Sequence, residues 1–287
     1  MSYPQRNLPN DGNPISTRDI ERLAAIAARE AGIELGQDKA DFLLSRLSRH
    51  LDQDGLASFS QYCDVLERPG ATAQIRRFVE AITTHTTSFF RERGHFDWLW
   101  SHGFRELWSK GAGRSRDLVI WSAACSTGQE LFSAMICAQH AATRDFQGMR
   151  FRGIGTDISS KVVAQAQSGI YSQPDIIGVP AELRAQSLLS SKAGDGRYRI
   201  VPDLRQRTNW RLANLTRVNT LTNIDADIVF LRNVLIYFDD DTQISVIRNV
   251  LSRLRPGGFL LTGHSETAHA RTLDLTVIKP TIYRKER

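Results

Sequence analysis

The segment from Leu118 to Ile136 constrains the fold of this chain more than any other. An apolar run at residues 118–121 leads into small residues and Gly128, and an amphipathic run follows from Glu130. This pattern predicts a strand, a tight loop and a helix. Such a loop brings a ligand close to bare backbone at the positive end of a helix, where doubly wound sheets bind nucleotides.

Glu130 narrows the choice of ligand for this loop. A carboxylate at that position repels phosphate and suits an ammonium group or hydroxyl groups better. The pattern therefore points towards S-adenosylmethionine, which carries an amino acid and a ribose but no phosphate. The loop also lacks the GxGxxG spacing of NAD-dependent dehydrogenases, which argues against that class of enzyme.

The composition is that of a globular protein with one large domain or two modest ones. The chain has 287 residues, of which 41% are hydrophobic and 24% charged. No run approaches the roughly 18 apolar residues of a membrane span, and the polar N-terminus lacks a signal-peptide core. We therefore expect a cytoplasmic protein without membrane insertion, with residues 1–14 as a disordered lead-in.

The cysteines and the net charge bear on chemistry and partners. Cys63, Cys125 and Cys137 lack CxxC spacing, which suits a reducing compartment and predicts no metal site. Cys125 is interpreted as a small residue in a tight turn, with a nucleophile as the alternative. The net charge of +6 predicts an acidic partner, which could be nucleic acid, an anionic membrane or a protein.

Residues 15–90 are predicted to form an N-terminal helical domain. Ser16 or Thr17 can cap a first helix that Gly32 and Gly36 end, and further helices are expected near 38–51, 58–66 and 73–82.

The second of these helices has two distinct faces. Its predicted apolar stripe consists of Ala40, Leu44, Leu47 and Leu51. Its basic edge consists of Lys39, Arg46, Arg49 and His50.

From residue 117 onward, short β-rich runs alternate with helical ones. Strands are expected at 118–121, 151–156, 228–231 and 259–262, and helices lie between them near 129–142, 159–168 and 241–254. This alternation predicts an α/β fold over residues 91–287, with a doubly wound, mostly parallel sheet. Residues 170–208 break the alternation and are predicted to be a small inserted antiparallel β lobe. Residues 277–284 are expected to form a final strand.

Polar residues follow several strands, at the edge where parallel sheets bind ligands. Asp157 ends the second strand, where a carboxylate commonly accepts hydrogen bonds from ribose; the alternative is a helix cap. Arg232, Asn233 and Tyr237 follow the strand at 228–231 and are site candidates. The alternative is an arginine paired with an acid and a tyrosine packed under a loop.

Three further segments admit both a functional and a structural interpretation. Asn214 could bind an adenine edge, but a loop asparagine is most often a turn residue. Residues 83–92, rich in hydroxyl groups, form either part of a site or a capped helix start, with Phe89 and Phe90 in the core. His264 and Glu266 suggest acid/base chemistry, although a loop hydrogen bond is the commoner use.

Taken together, these segments resemble the CheR family of chemotaxis-receptor methyltransferases. The helical N-terminal region and the lobe fit the family layout, and five motifs occur in order, at residues 83–91, 121–130, 155–158, 232–239 and 254–266. The resemblance implies the class I S-adenosylmethionine-dependent methyltransferase fold. It also implies methyl transfer from S-adenosylmethionine to glutamate side chains of chemoreceptors, which gives γ-methyl esters.

The resemblance implies roles for individual residues. Glu130 would face the methionine end of the cofactor, Asp157 the ribose, and Asn214 with Leu215 the adenine. Arg91 and Tyr237 would be the catalytic residues near the departing methyl group, with Arg91 orienting the substrate. The full set of implied cofactor-binding positions is His85, Thr87, Arg91, Glu130, Asp157, Asn214, Leu215 and Arg232.

The basic edge of the second helix and the inserted lobe both indicate how a partner would bind. In the family, the corresponding helix meets the acidic receptor bundle, which implies receptor binding by Lys39, Arg46 and Arg49; the alternative is a solvated surface. The loop at residues 194–196 is shorter than in lobes that dock a receptor's tether peptide, which predicts tether-independent binding. Motifs of nucleic-acid methyltransferases are absent from the sequence, so we expect no nucleic-acid partner.

Several positions depart from the family pattern. His85 replaces the usual Asn, Gln129 replaces Glu, the pair Leu131-Phe132 replaces Pro-Tyr, and Leu231 replaces Cys. His85 lies beside the proposed pocket and so bears on substrate choice and pH dependence. These departures motivate an alternative function, a non-catalytic module that binds S-adenosylmethionine or S-adenosylhomocysteine.

Overall fold

The chain divides into two units, Met1–Thr83 and Thr84–Arg287. The computed structural model describes residues 15–266, 273 and 275–286. The predicted disordered lead-in, residues 1–14, lies outside the described residues. The predicted boundary between the two domains, at residues 90 and 91, falls within the second unit.

The first unit is helical, as predicted. A capping box starts its first helix, because the Ser16 hydroxyl accepts a hydrogen bond from the Asp19 N–H at 3.1 Å. Gly32, with a φ of 72°, ends that helix in the left-handed conformation. The helices are α1 (Thr17–Ala31), α2 (Ala40–Asp54), α3 (Phe59–Leu66) and α4 (Thr72–Ile82).

The apolar face of α2 is rotated from its predicted position. The buried side chains are Leu43, Leu47 and Leu51, whereas Ala40 and Leu44 are only partly buried. The predicted stripe therefore included Leu44 wrongly, because adjacent leucines at 43 and 44 fit a helical period almost equally well and only tertiary packing decides between them.

The basic edge of α2 consists of three residues and not four. Lys39, Arg46 and Arg49 are exposed. His50 instead lies partly buried with its ring centroid 6.4 Å from that of Tyr62, and burial lowers its pKa. His50 is therefore neutral near pH 7 and does not belong to the basic edge.

The second unit contains a seven-stranded sheet in the order β6-β2-β1-β7-β8-β10-β9. The first five strands in this order, β6, β2, β1, β7 and β8, are parallel to one another. The strand β10 pairs antiparallel with both β8 and β9. The sheet strands are β1 (Leu118–Ala123), β2 (Phe151–Asp157), β6 (Thr208–Leu212), β7 (Ala226–Leu231), β8 (Leu254–Thr262), β9 (Leu275–Lys279) and β10 (Ile282–Lys285).

The predicted doubly wound, mostly parallel sheet is thus confirmed, with one correction at its end. The prediction of one final strand at residues 277–284 was wrong, because a turn at Pro280 and Thr281 divides this stretch into the hairpin strands β9 and β10.

The helices of the second unit connect these strands. A turn of π-helix, Leu99–Gly103, joins the first two helices. The helices are α5 (Gly94–Trp98), α6 (Phe104–Ser109), α7 (Gln129–Arg144), α8 (Ser160–Ser168), α9 (Ala181–Ser187), α10 (Pro202–Gln206) and α11 (Asp240–Leu251). Within the described ranges, no helix is both long enough and apolar enough to cross a membrane.

The predicted inserted lobe is a separate three-stranded antiparallel sheet, in the order β3-β5-β4. It comprises β3 (Ile170–Ser172), β4 (Leu188–Ser190) and β5 (Arg197–Ile200). Because the chain enters it after α8 and returns through α10 to β6, the lobe interrupts the alternation of the main sheet without disturbing its strand order.

Gly128 is required where the loop after β1 turns into α7. Its φ is 93°, and a Cβ added there would lie 2.9 Å from both the Ala166 Cβ and the Trp210 Cη2. Any side chain would thus meet both backbone strain and a clash. The loop predicted from the sequence is therefore held tightly against α8 and β6.

Candidate functional site

The candidate site lies at the carboxyl ends of β1, β2 and β7. β1 and β7 are hydrogen-bonded neighbours, but the chain between them first runs outward through β2 and β6 before it returns. This reversal is the topological switch point at which open α/β sheets bind ligands. Three of the predicted site residues lie at or beyond the ends of these strands: Asp157 is the last residue of β2, Arg232 directly follows β7, and Glu130 lies in the first turn of α7.

Backbone strain is concentrated on the segments around this edge. Seven non-glycine residues among those described have a positive φ, and five of them lie on these segments. Such conformations persist only where surrounding contacts enforce them, and they cluster at functional sites. The five residues are Phe90, Glu92, Ala124, Ser126 and Asn233.

Arg232 is the central charge of the site. Its side chain is buried, with Nη1 3.2 Å from the Glu130 Oε2 and Nη2 3.4 Å from the Glu92 Oε2. Nη2 also donates a hydrogen bond to the Arg91 carbonyl at 2.7 Å. Two of its nitrogens, Nε and Nη1, are buried with no hydrogen-bond partner among the described residues. A buried guanidinium with unused donors is able to bind an acceptor group of a ligand.

Glu130 is the second element of this charge cluster. It lies in the first turn of α7, where its Oε1 accepts a hydrogen bond from the Ser122 hydroxyl at 2.6 Å. Burial raises the pKa of Glu130, and the Arg232 guanidinium acts in the opposite direction. The cluster thus combines a carboxylate and a guanidinium, which suits a ligand that carries both an ammonium and a carboxylate.

Asp157 holds the two loops that flank it. Its Oδ2 accepts from the Ser126 N–H at 2.9 Å and its Oδ1 from the Ser159 N–H at 3.0 Å. Burial raises its pKa, while these two hydrogen bonds and the nearby His85 lower it. The cap position of α8 belongs to Ser159, so Asp157 is not the helix cap that its alternative interpretation required.

The segment before α5 supplies the opposite wall, and it is not the start of a helix. Residues 83–88 are irregular, so the alternative of a capped helix start is wrong, although Phe89 and Phe90 are buried in the core as that alternative expected. The His85 carbonyl accepts a hydrogen bond from the Ser126 hydroxyl at 2.7 Å, which places His85 beside the glycine loop.

The remaining two residues of that wall are Thr87 and Arg91. Both are partly buried. The Arg91 side chain folds back, and its Nη1 donates to the Thr86 carbonyl at 3.0 Å. Its backbone carbonyl is fixed separately by Arg232, so the main chain and the side chain of Arg91 have different partners.

Asn214 forms a turn within its own loop. Its Oδ1 accepts hydrogen bonds from the Thr216 N–H at 3.0 Å and the Thr216 hydroxyl at 2.8 Å. Leu215 is buried, and its carbonyl accepts from the Asn249 side chain at 3.0 Å. Asn214 is therefore a turn residue in the structure. Contact of Asn214 and Leu215 with adenine stays a prediction.

Tyr237 and Asn233 lie on the segment after β7, which Glu266 organises. The Glu266 carboxylate accepts four backbone hydrogen bonds of 2.7–2.8 Å, from residues 233, 234, 235 and 263. Both carboxylate oxygens are thus occupied twice. The loop hydrogen-bond interpretation of Glu266 is the one observed, and Tyr237 is partly buried at the end of the turn that it supports.

Sequence reasoning missed two partners in this site, the Glu92 carboxylate and the Ser122 hydroxyl. Both residues lie next to segments with site candidates, but no local pattern indicated them. The one available signal was position, since Ser122 lies near the end of a predicted strand and Glu92 follows Arg91.

Most departures from the family pattern are packing positions. Leu131, Phe132 and Leu231 are fully buried. Gln129 is buried, and its Oε1 accepts from the Thr127 hydroxyl at 2.7 Å. His85 is the departure that lies beside the glycine loop and near Asp157.

A doubly wound sheet with a carboxylate-rich switch point is typical of S-adenosylmethionine-dependent methyltransferases. Comparison with known proteins identifies the family within this class. Residues 85–284 match the CheR methyltransferase SAM-binding domain, and residues 18–83 match the CheR methyltransferase all-alpha domain. The chain belongs to the CheR methyltransferase family.

Individual relatives carry related names. Chemotaxis protein methyltransferase 2 of Pseudomonas aeruginosa is 35% identical, with 91% of this chain and 92% of that protein covered. Chemotaxis protein methyltransferase of Escherichia coli is 31% identical, with 94% and 91% covered. Among solved structures, an O-methyltransferase family protein from Burkholderia thailandensis is 16% identical over 75% of this chain and 51% of that one, with a TM-score of 0.35.

Proposed function

We propose that this protein methylates glutamate side chains of chemotaxis receptors, with S-adenosylmethionine as the methyl donor. The observation that carries the proposal is the buried guanidinium of Arg232 between two carboxylates at the switch point, in a chain of the CheR methyltransferase family. When bound, S-adenosylmethionine would supply a methyl group on a sulfonium centre: a glutamate carboxylate oxygen bonds to the methyl carbon, the carbon–sulfur bond breaks, and S-adenosylhomocysteine leaves, which gives a methyl ester.

The donors and acceptors of the site fit this cofactor. The unused nitrogens of Arg232 suit a carboxylate, and the Glu130 Oε2 suits an ammonium group, as the amino-acid end requires. Asp157 would bind the ribose hydroxyls with the acceptor capacity that its two backbone hydrogen bonds leave. The remaining pocket would be lined by His85, Thr87, Arg91, Asn214 and Leu215.

The substrate carboxylate needs orientation more than activation. A glutamate side chain has a reference pKa of about 4.3, so it is already ionised near pH 7. Arg91 and Tyr237 would hold it in attack geometry next to the methyl group, and exclusion of water would raise the rate further. Full neutralisation by Arg91 would weaken the nucleophile, so its part in the reaction is orientation.

The partner would be the cytoplasmic helical bundle of chemoreceptors. Lys39, Arg46 and Arg49 are exposed on α2 and would attract an acidic helix surface. The lobe has only a short connection at residues 191–196 between β4 and β5, which supports binding without a receptor tether peptide. Such an enzyme would act in the cytoplasm.

A transfer assay tests the reaction class. The protein is incubated with methyl-labelled S-adenosylmethionine and membranes that contain chemoreceptors, and label in receptor bands is divided into alkali-labile methanol and stable product. We expect alkali-labile label with the wild type and a large loss with Asp157→Ala. Cofactor binding in a calorimeter without any labile label would contradict the proposal and favour the non-catalytic module.

A further inference from the structure

We propose that Glu92 is a positioning residue for the cofactor site. It acts through Arg232, and keeps the Glu130 Oε2 available to the amino-acid end of the ligand. The inference rests on the proposed function, because it assumes that Glu130 and Arg232 bind that end of S-adenosylmethionine.

Two carboxylates lie at nearly equal distances from the Arg232 guanidinium. Nη1 lies 3.2 Å from Glu130 and Nη2 lies 3.4 Å from Glu92, yet Nη1 makes no hydrogen bond. The hydrogen bond that Arg232 does make goes to the backbone carbonyl of Arg91. The guanidinium is therefore held by opposing charges and one carbonyl, without closing a paired hydrogen bond onto either acid.

This balance matters because a buried guanidinium and a single carboxylate would pair directly. Removal of the Glu92 charge leaves Glu130 as the only carboxylate within 4 Å of Arg232 among the described residues. Arg232 could then close a charge-assisted hydrogen bond onto the Glu130 Oε2. The Glu130 Oε1 already accepts from Ser122, so both oxygens of Glu130 would be engaged inside the protein. A ligand ammonium would lose its acceptor.

The position of Glu92 is enforced by its backbone. Its φ is 57°, an unfavourable conformation for a residue with a side chain. The chain is fixed on both sides of this strain, because the Arg91 carbonyl accepts from Arg232 and the Glu92 carbonyl accepts from the His95 N–H at 3.0 Å. A residue kept in a strained conformation beside a buried charge is consistent with a positioning role.

Two ligands separate this role from a structural one. S-adenosylhomocysteine carries the amino-acid end, whereas methylthioadenosine shares the nucleoside and lacks that end. Calorimetry with Glu92→Gln should show about tenfold weaker binding of S-adenosylhomocysteine, the loss of one charge-assisted contact, with binding of methylthioadenosine unchanged. Glu92→Asp, which keeps the charge, should recover part of the affinity.

Asp97→Asn is the matched control, because it removes the same charge at an exposed position of the neighbouring helix α5. Equal weakening of both ligands by Glu92→Gln, or no change in either, would overturn the positioning role while leaving the cofactor site intact. If Glu92→Gln does not fold, the affinities of Glu92→Asp for S-adenosylhomocysteine and for methylthioadenosine are measured instead. A ratio of these two affinities equal to that of the wild type would overturn the positioning role. Wild-type protein that binds neither ligand would overturn the proposed cofactor site itself.

Discussion

At the scale of single residues, the backbone and the side chain of Arg91 have two separate duties. Its carbonyl accepts from Arg232, while its side chain donates to the Thr86 carbonyl. The backbone therefore belongs to the charge cluster, and the guanidinium is the part that the proposed function assigns to the substrate. A side-chain truncation should separate these two duties.

We expect Arg91→Ala to keep cofactor affinity within about threefold and to lower methyl transfer by about 100-fold, the usual cost of a misplaced reactant. The carbonyl that Arg232 needs survives this change. Calorimetry gives the affinity, and alkali-labile label gives the transfer rate. Arg93→Ala is the matched control, because Arg93 is exposed and its ion pair is with the exposed Asp97. Unchanged turnover would remove Arg91 from the mechanism.

His95 gives the fold a dependence on pH. It is buried, its Nε2 lies 2.7 Å from the Thr281 hydroxyl, and its pKa is lowered to about 3 by burial first and by Arg232 and His264 next. Glu92 lies 3.7 Å from its Nδ1, but burial, Arg232 and His264 together outweigh that attraction and lower the pKa of His95. His95 is therefore neutral in the folded protein over the physiological range.

Because an unfolded histidine titrates near 6.5, the unfolded state binds the proton more tightly. The stability that neutral His95 contributes is present above pH 6.5 and is lost towards pH 3, at about 1.4 kcal/mol per pH unit. Burial raises the pKa values of Glu130 and Asp157, which act in the opposite sense. Denaturant unfolding between pH 7.5 and pH 5 should thus show a shallower acid loss for His95→Gln than for the wild type. Equal slopes would contradict this, and exposed His102→Gln is the control.

At the scale of elements, the loop after β7 depends on a residue that follows a different strand. Glu266 lies beyond β8, and its carboxylate accepts from three consecutive N–H groups at residues 233–235 and from Gly263. Consecutive backbone N–H groups form an anion-binding concavity. Here a protein carboxylate fills it, and so fixes the segment between Arg232 and Tyr237.

Glu266→Gln should therefore lower both stability and transfer. The amide keeps one acceptor oxygen and turns an NH₂ group towards backbone donors, so we expect a loss of about 2–4 kcal/mol in the free energy of unfolding. Transfer should fall under conditions where the variant is still folded, because Tyr237 loses its support. Denaturant unfolding and the labelled-methyl assay measure the two effects, with exposed Glu182→Gln as the control. A Glu266→Gln variant with the stability and the transfer rate of the wild type would contradict this role of Glu266.

The sequence predicted the elements more readily than their contacts. Hydrophobic periodicity and turn residues are local, so the parallel strands, the glycine loop and the inserted lobe could all be predicted. Strand ends also indicated Glu130, Asp157 and Arg232, because parallel strands share one ligand-binding edge. The Arg232 hydrogen bond to Arg91, however, spans 141 positions in the chain, and no local pattern specifies such a partner. Likewise, tertiary packing, and not the helical periodicity of the sequence, determines that Leu43 is buried.

At the scale of the whole molecule, charge is divided between a buried cluster and an exposed surface. The +6 net charge does not distinguish among acidic partners, but Lys39, Arg46 and Arg49 belong to the helical unit, whereas the charge cluster belongs to the second unit. Exposed charges contribute mainly to the rate of encounter, and salt screens them over about 8–10 Å. Recognition and transfer should therefore respond differently to ionic strength.

The double charge reversal Arg46→Glu with Arg49→Glu tests this separation. We expect the apparent KM for receptor membranes to rise about tenfold at low salt, and its salt dependence to flatten, because both residues are exposed and, under the proposed function, would attract the acidic bundle. The affinity for S-adenosylhomocysteine should stay at the wild-type value, since the charge cluster lies in the other unit. Arg114→Glu with Arg144→Glu makes the same change in net charge at exposed positions of that unit, and should leave the KM nearly unaltered. If both double variants raise the KM equally, the net charge of the protein and not the basic edge of α2 governs encounter with the receptor.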